Sequence, residues 1–220
     1  MPMHLDREIE SLKRQILSLS ALVEEAVARS VAAIQGRDPA MAKAVVDNDE
    51  AVDALEVEVE EECLKMLALH QPVAHDLRFI VACIRLNNDL ERIGDLAVNI
   101  GERAIELAGK PEPDEKPMDV GAMAGHVRRM LAQALDALVN LDAEQARRVC
   151  AMDDVADAMH RESFRRVEEA VTRRAADFAT MTQYLSVSRY LERIADHATN
   201  IAEDVIYMVE GSIARHRAGA

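Results

Sequence analysis

The chain has 220 residues, half of them hydrophobic, with 40 acidic against 26 basic side chains and a formal net charge of −14. That balance repels phosphate backbones and anionic lipid, which excludes a nonspecific nucleic-acid or membrane-surface binder. Three scattered cysteines and no uncharged run longer than the eleven mostly polar residues Phe178–Ser188 exclude a disulfide framework and a membrane span.

Apolar positions recur at helical, not strand, spacing along the chain, so the fold class is all-α. Leu5, Ile9, Leu12, Ile16, Leu19 and Val23 predict a first helix over about 4–35. Gly36 and Pro39 break it, and Asp38-Pro39 reads as an N-cap followed by proline at the first helical position. Val45, Val52, Val59 and Met66 predict a second helix over about 39–69, ended by Pro72. Leu90, Ile93, Ala97, Ile100, Ala104 and Leu107 carry a third, over about 73–109. The stretch Gly109–Pro117, GKPEPDEKP, holds three of the six prolines and reads as an exposed linker, with its centre at 111–117. Three further helices are expected over about 118–140, 143–175 and 179–216. The breaks near Leu141-Asp142 and Asp177 carry neither Gly nor Pro. With six aromatic residues and eleven methionines, the core is aliphatic and gap-filled by Met. An N-terminus that lacks an apolar run flanked by basic residues predicts no secretory signal, and the cysteine usage predicts a cytoplasmic, reducing home.

The two halves repeat. Leu90-Glu-Arg-Ile-Gly-Asp95, followed by Asn99-Ile100, recurs 101 residues later as Leu191-Glu-Arg-Ile-Ala-Asp196, followed by Asn200-Ile201. Asp49-Glu50-x-x-Asp53 recurs 104 residues later as Asp153-Asp154-x-x-Asp157. The chain is therefore expected to be two tandem, duplicated three-helix bundles, six long helices in all. The first bundle takes 1–110, the linker 111–117 and the second bundle 118–220.

Each repeated block carries acids four residues apart: Asp49 with Asp53, Glu91 with Asp95, Asp153 with Asp157, Glu192 with Asp196. Such residues lie one above the other on a helix face, and two carboxylates there repel. With 40 acids in 220 residues about seven such pairs arise by chance, so one pair signals nothing. Duplication on two helices of each unit is what singles these out. Oxygen-only clusters suit hard cations such as Mg²⁺, Ca²⁺, Mn²⁺ or iron. Pairing of the acids with Arg85, Arg92, Arg189 and Arg193, or plain solvation, is the competing reading. His160 stands three residues after Asp157, where the first unit has Glu56. This Asp-x-x-His is half of a di-iron bundle motif and has no companion, which argues against a ferritin-like oxidation site. No nucleophile elbow, P-loop or dinucleotide fingerprint is present. Cys63 and Cys83 sit among apolar neighbours as core fillers.

The LERIGD and LERIAD blocks, the following Asn99 and Asn200, the segment His75-Asp-Leu-Arg78 and the stretch Asp196-His-Ala-x-Asn200 through Gly211 resemble the PhoU family of phosphate-transport regulators. The resemblance spans essentially the whole chain. It implies a cytoplasmic protein, not an enzyme, that is often a homodimer and is peripheral to the inner membrane through its partners. It implies an adaptor between the ATPase of a phosphate ABC transporter and a phosphate-sensing histidine kinase, holding the starvation response off and restraining uptake. It also implies a multinuclear metal cluster, iron above all, with Mg, Mn, Ca, Zn or Ni as alternatives. In this sequence its ligands would be Asp49, Asp53, Glu91 and Asp95 in one unit and Asp153, Asp157, Glu192 and Asp196 in the other. A carboxylate-bridged metalloenzyme and a metal-free structural adaptor remain as alternatives. Apolar patches left over after bundle formation are the expected docking surface.

Overall fold

In the computed structural model the described residues are 2–113, 116–173 and 178–211, with side chains described from Leu5 onward. They form α1 (Pro2–Gly36), α2 (Pro39–Asp47), α3 (Asp49–His70), α4 (Ala74–Ala108), α5 (Val120–Asn140), α6 (Ala143–Cys150), α7 (Asp153–Thr172) and α8 (Phe178–Glu210). These are the six expected helices, two of which are kinked into a short and a long segment. The residues flanking the expected break at Asp177, Arg174 to Asp177, and the expected helical stretch 212–216 lie outside the described residues.

The α2/α3 kink falls at Asn48 and the α6/α7 kink at Ala151-Met152. Neither site has Gly or Pro. In both, the chain tightens to three-residue hydrogen bonds: Asn48 N–H to Val45 O (3.3 Å) and Ala51 N–H to Asn48 O (3.2 Å). The second unit repeats this with Met152 N–H to Val149 O (2.9 Å) and Val155 N–H to Met152 O (3.2 Å). The kink is thus a duplicated device, and it makes Asp49 and Asp153 the first residues of their helices.

The turns before the kinked helices are duplicated too. Arg37 and Leu141 both take the left-handed conformation, with φ of 51° and 49°. The next residue closes the turn by a long-reach bond, Asp38 N–H to Ala33 O (3.0 Å) and Asp142 N–H to Ala137 O (2.9 Å). The same two aspartates then cap the following helix. Asp38 accepts from the N–H groups of Ala40 and Met41, and Asp142 from that of Gln145. This is why Leu141-Asp142 ends a helix without Gly or Pro.

The long helices α4 and α8 lie at the centre and pack on one another; α1, α2 and α3 cover α4, and α5, α6 and α7 cover α8. A single apolar cluster runs through both units, from Leu12 and Leu19 on α1 through Leu90, Ile93 and Ile100 on α4 to Leu191, Ile194 and Ile201 on α8. Each such side chain contributes roughly 1.5–3 kcal/mol on burial. Val167, Ala170 and Met181 form a small separate cluster in the second unit. Cys63 and Cys83 are buried core residues, and burial pushes the Cys63 thiol up to about 12, so they are inert fillers. Two glycines let the first unit close tightly. A Cβ on Gly101 would stand 3.2 Å from the backbone oxygen of Ala42. One on Gly94 would stand 3.2 Å from Val52 Cγ1 and 3.6 Å from Asp49 Oδ1. Ala195 and Ala202 hold the matching places in the second unit.

Candidate functional site

Asp49 and Asp53 occupy the first turns of α3, facing the middle of α4, where Glu91 and Asp95 lie. The second unit sets Asp153 and Asp157 of α7 against Glu192 and Asp196 of α8. Burial, then the charges of Asp53 and Asp95, holds the Asp49 carboxyl above its ordinary range. Burial also raises Glu91, with Asp95, Glu56 and Asp53 adding to it against the opposing pull of Arg92. Asp153 is pushed up to about 6, by burial first and then by Asp196 and Asp157. Glu192 and Asp196 are raised by burial and by their acidic neighbours, Asp157 among them in both cases. The eight acids therefore form two clusters of four, each spanning a helix pair and each strained by like charge.

Some of that charge is relieved by bases. Arg92 reaches Glu91 at 3.4 Å and Asp95 at 3.7 Å, and Arg161 reaches Asp157 at 3.1 Å. Arg85 is engaged elsewhere, with Asp204 at 3.2 Å. Among the described residues no three His, Cys, Asp or Glu side chains are gathered closely enough, as they stand, to hold a metal ion. The donor set fits a hard cation by chemistry: four carboxylates on facing turns, already paying for their mutual repulsion.

One rung beyond each cluster the two units differ. Asn87 donates to the Glu56 backbone oxygen (2.9 Å) and to its carboxylate Oε1 (3.0 Å), tying α4 to α3. At the matching place His160 Nδ1 lies 2.7 Å from Ser188 Oγ, tying α7 to α8. Burial and Arg189 together hold the His160 imidazole below its ordinary pKa.

Polar contacts between the units were not legible in the sequence. Asp89 on α4, 6% exposed, accepts from Asn200 Nδ2 at 3.2 Å and lies 2.8 Å from His197 Nδ1. Arg85 bonds the buried Asp204 and stacks 5.6 Å from the centre of the Tyr207 ring. Arg103 bonds Gln183 at 3.2 Å. Rising residue numbers on α4 meet falling ones on α8, so the central helices run antiparallel. Of these residues Asn200 belongs to the repeat, but its partners do not: the counterparts of Asp89 and His197 are Tyr190 and Leu96. Pattern matching between halves has no means of finding them. An apolar groove of about 250 Å³ opens between α1, the start of α4 and the end of α5, beside Ile9, Leu17, Phe79 and Val139.

The described residues define a duplicated, all-helical bundle protein with a core shared between its two units. The PhoU domain model matches residues 16–104 and 120–205, one copy per unit. The chain is 38% identical over 212 residues to the phosphate-specific transport system accessory protein PhoU homolog of Pseudomonas putida, spanning 95% of this chain and 82% of that protein. The crystal structure of PhoU from Pseudomonas aeruginosa superposes with a TM-score of 0.90 at 34% identity, covering 94% of this chain and 99% of that one. PhoU from Streptococcus pneumoniae, described as a phosphate transport system regulatory protein, superposes at 0.87 and 27% identity over 95% and 98% of the two chains. The chain belongs to the PhoU family.

Proposed function

We propose that this chain is an accessory regulator of phosphate transport. It restrains uptake and holds the phosphate-starvation response off by linking the ATPase of a phosphate ABC transporter to a sensor histidine kinase. The observation that carries this reading is the near full-length match, in sequence and in both units of the fold, to phosphate transport accessory proteins. It acts through protein contacts, as a homodimer at the cytoplasmic side of the membrane. None of the described helices is long and apolar enough to cross a bilayer, which accords with attachment through partners. Exposed apolar side chains on the outer helices, Val57 and Leu64 on α3 and Phe164 on α7, each half exposed, supply contact surface for such partners. The two acidic clusters take metal, with iron the leading candidate. Bound cations offset the carboxylate repulsion and tie α3 to α4 and α7 to α8.

The test is direct binding. Purified full-length chain is titrated by calorimetry against the transporter ATPase and, separately, against the cytoplasmic portion of the kinase from the same organism. Saturable binding to both is expected. Binding to neither at micromolar concentrations refutes the adaptor reading.

A further inference from the structure

We propose that the cavity at the start of α5 binds a phosphate-type oxyanion, and that it is the remodelled duplicate of the apolar groove beside α1. The site does not depend on metal at the acidic clusters.

The cavity, of about 500 Å³, opens between the end of α1, the start of α5, α7 and α8. The apolar groove, of about 250 Å³, is its counterpart by the internal repeat. Each takes the end of the first helix of the opposite unit. At an offset of 104 residues Ile34 falls on Leu138 and Val120 on Ile16, and all four line their cavities. Three other matched wall positions have changed from apolar to polar or small. Leu17, Val139 and Cys83 of the groove become Gly121, Gln35 and Tyr184, the last at the offset of 101.

Backbone donors differ first. Ile16 and Leu17 lie inside α1, where N–H groups are spent on the helix, whereas Val120 and Gly121 are the first residues of α5. Asp119 caps α5 by accepting from Ala122 N–H at 2.9 Å, and Met123 N–H closes on Asp119 O at 3.1 Å. The N–H groups of Val120 and Gly121 are left without a partner among the described residues, at the positive end of the helix dipole. Gly121 also lets a side-chain amide close on this end, since a Cβ there would stand 2.8 Å from Gln35 Nε2.

Tyr184 lines the same cavity and is 2% exposed. Its hydroxyl has no hydrogen-bond partner among the described residues, although a buried phenol ordinarily finds one. An oxyanion in the cavity supplies it. Two cations complete the lining. Lys116 is held by Glu112 at 2.6 Å, an exposed pair of the kind that is worth little and exchanges readily. Arg166 shares the single carboxylate of Glu162 with Arg165, at 2.8 and 2.7 Å, and engages it through Nε, so positive charge is left over. Arg37 is close enough to act on Lys116 electrostatically. The one acid on the described lining, Asp119, is spent on the cap; Asp114 and Glu115, just before Lys116, lie outside the described residues. The groove beside α1 has bases as well, but Lys13 is held by Glu10 at 2.6 Å and lies over the Phe79 ring, and neither a helix start nor a hydroxyl faces them. A chain that repels anions as a whole thus carries one cavity built of donors. It has room for a phosphate alone or for one carried on a small organic molecule.

Equilibrium dialysis of the full-length chain tests this, with a chelator present so that no metal carries the anion. One arm uses orthophosphate and the other adenosine 5′-monophosphate, at physiological ionic strength. Saturable binding at one site per chain is expected. Binding of orthophosphate identifies the free ion as a ligand; binding of the nucleotide alone, not displaced by adenosine, identifies a phosphate ester. Tyr184→Phe, which removes only the hydroxyl, and Arg166→Gln should each weaken binding about tenfold, the loss of one hydrogen bond to a charged group. Arg14→Gln, in the matching groove, should leave it unchanged. Circular dichroism checks that each variant is folded. The proposal is overturned if the folded wild type binds neither probe at millimolar concentration, if adenosine displaces the nucleotide, or if Tyr184→Phe and Arg166→Gln bind as the wild type does.

Discussion

Asp89→Ala tests how the two units are held in register. The carboxylate is 6% exposed and takes hydrogen bonds from Asn200 and His197 on the opposite central helix, at 3.2 and 2.8 Å. Truncation removes a buried acceptor and strands two donors, each worth about 1–3 kcal/mol if left dry. Both are only partly buried, so water recovers a share. The expected loss is about 1–3 kcal/mol in all, equivalent to roughly 3–10 °C in Tm for a chain of this size. Asp89→Asn, which retains one acceptor, should recover about half. The internal control is the duplicated asparagine. Asn99 bonds only the backbone of its own helix, donating to Asp95 O at 2.8 Å. Asn99→Ala should therefore cost under about 0.5 kcal/mol, and Asn200→Ala at least twice that. Guanidinium denaturation followed by circular dichroism measures all four, and the double variant Asp89→Ala/Asn200→Ala should be less damaging than the sum of its parts. An Asp89→Ala protein as stable as wild type, or equal costs at Asn99 and Asn200, refutes the reasoning.

Two further outcomes follow from packing and charge. The Cβ of Gly101→Val would press on a backbone oxygen that cannot rotate away, so this variant should lose about 1–3 kcal/mol, net of any gain in helix propensity. A melt equal to wild type would show that α2 is not held against α4 as described. The pH dependence has a definite sign. The Asp153 carboxyl is raised to about 6 in the fold, so the folded state prefers it protonated. Its contribution is fully present below the unfolded value near 3.9 and is lost as pH rises through about 6. Asp49, Glu91, Glu192 and Asp196 act in the same direction, and His160, a single group held below its ordinary value, acts against them. Glu162, held down to about 2 by Arg165 and Arg166, keeps its ion pairs throughout this range. Chelator-treated protein should therefore melt higher at pH 5 than at pH 7.5. A steady fall in Tm on acidification over that interval contradicts the clustering of these acids.

The helices and the repeat were legible because each is written locally. Periodic Leu, Ile and Val set the buried faces, and the LERIGD and LERIAD blocks mark corresponding turns of α4 and α8. The kinks at Asn48 and Met152 were not legible, since the tightened bonds there come from packing of the short α2 and α6 against the central helices rather than from a helix-breaking residue. That shift matters to the site, because it turns Asp49 and Asp153 from mid-helix residues into first-turn ones. The left-handed Leu141 was foreseen only as a break without a reason. Its reason is Asp142, which closes one helix and caps the next as Asp38 does. The pairings of Asp89 with His197 and of Arg85 with Asp204 were invisible in principle, because partners a hundred residues apart that have no matching pair in the other half leave no spacing to read. His160 was visible as a departure from Glu56, whereas its contact with Ser188 on α8 was not.

The claim on which the rest depends is that this chain restrains the response to phosphate starvation. It is tested most directly by deleting the gene, growing the strain in high phosphate and reading a phosphate-starvation reporter. The account predicts a reporter switched on despite plentiful phosphate and switched off again when the full chain is restored. A reporter that stays silent in the deleted strain contradicts it.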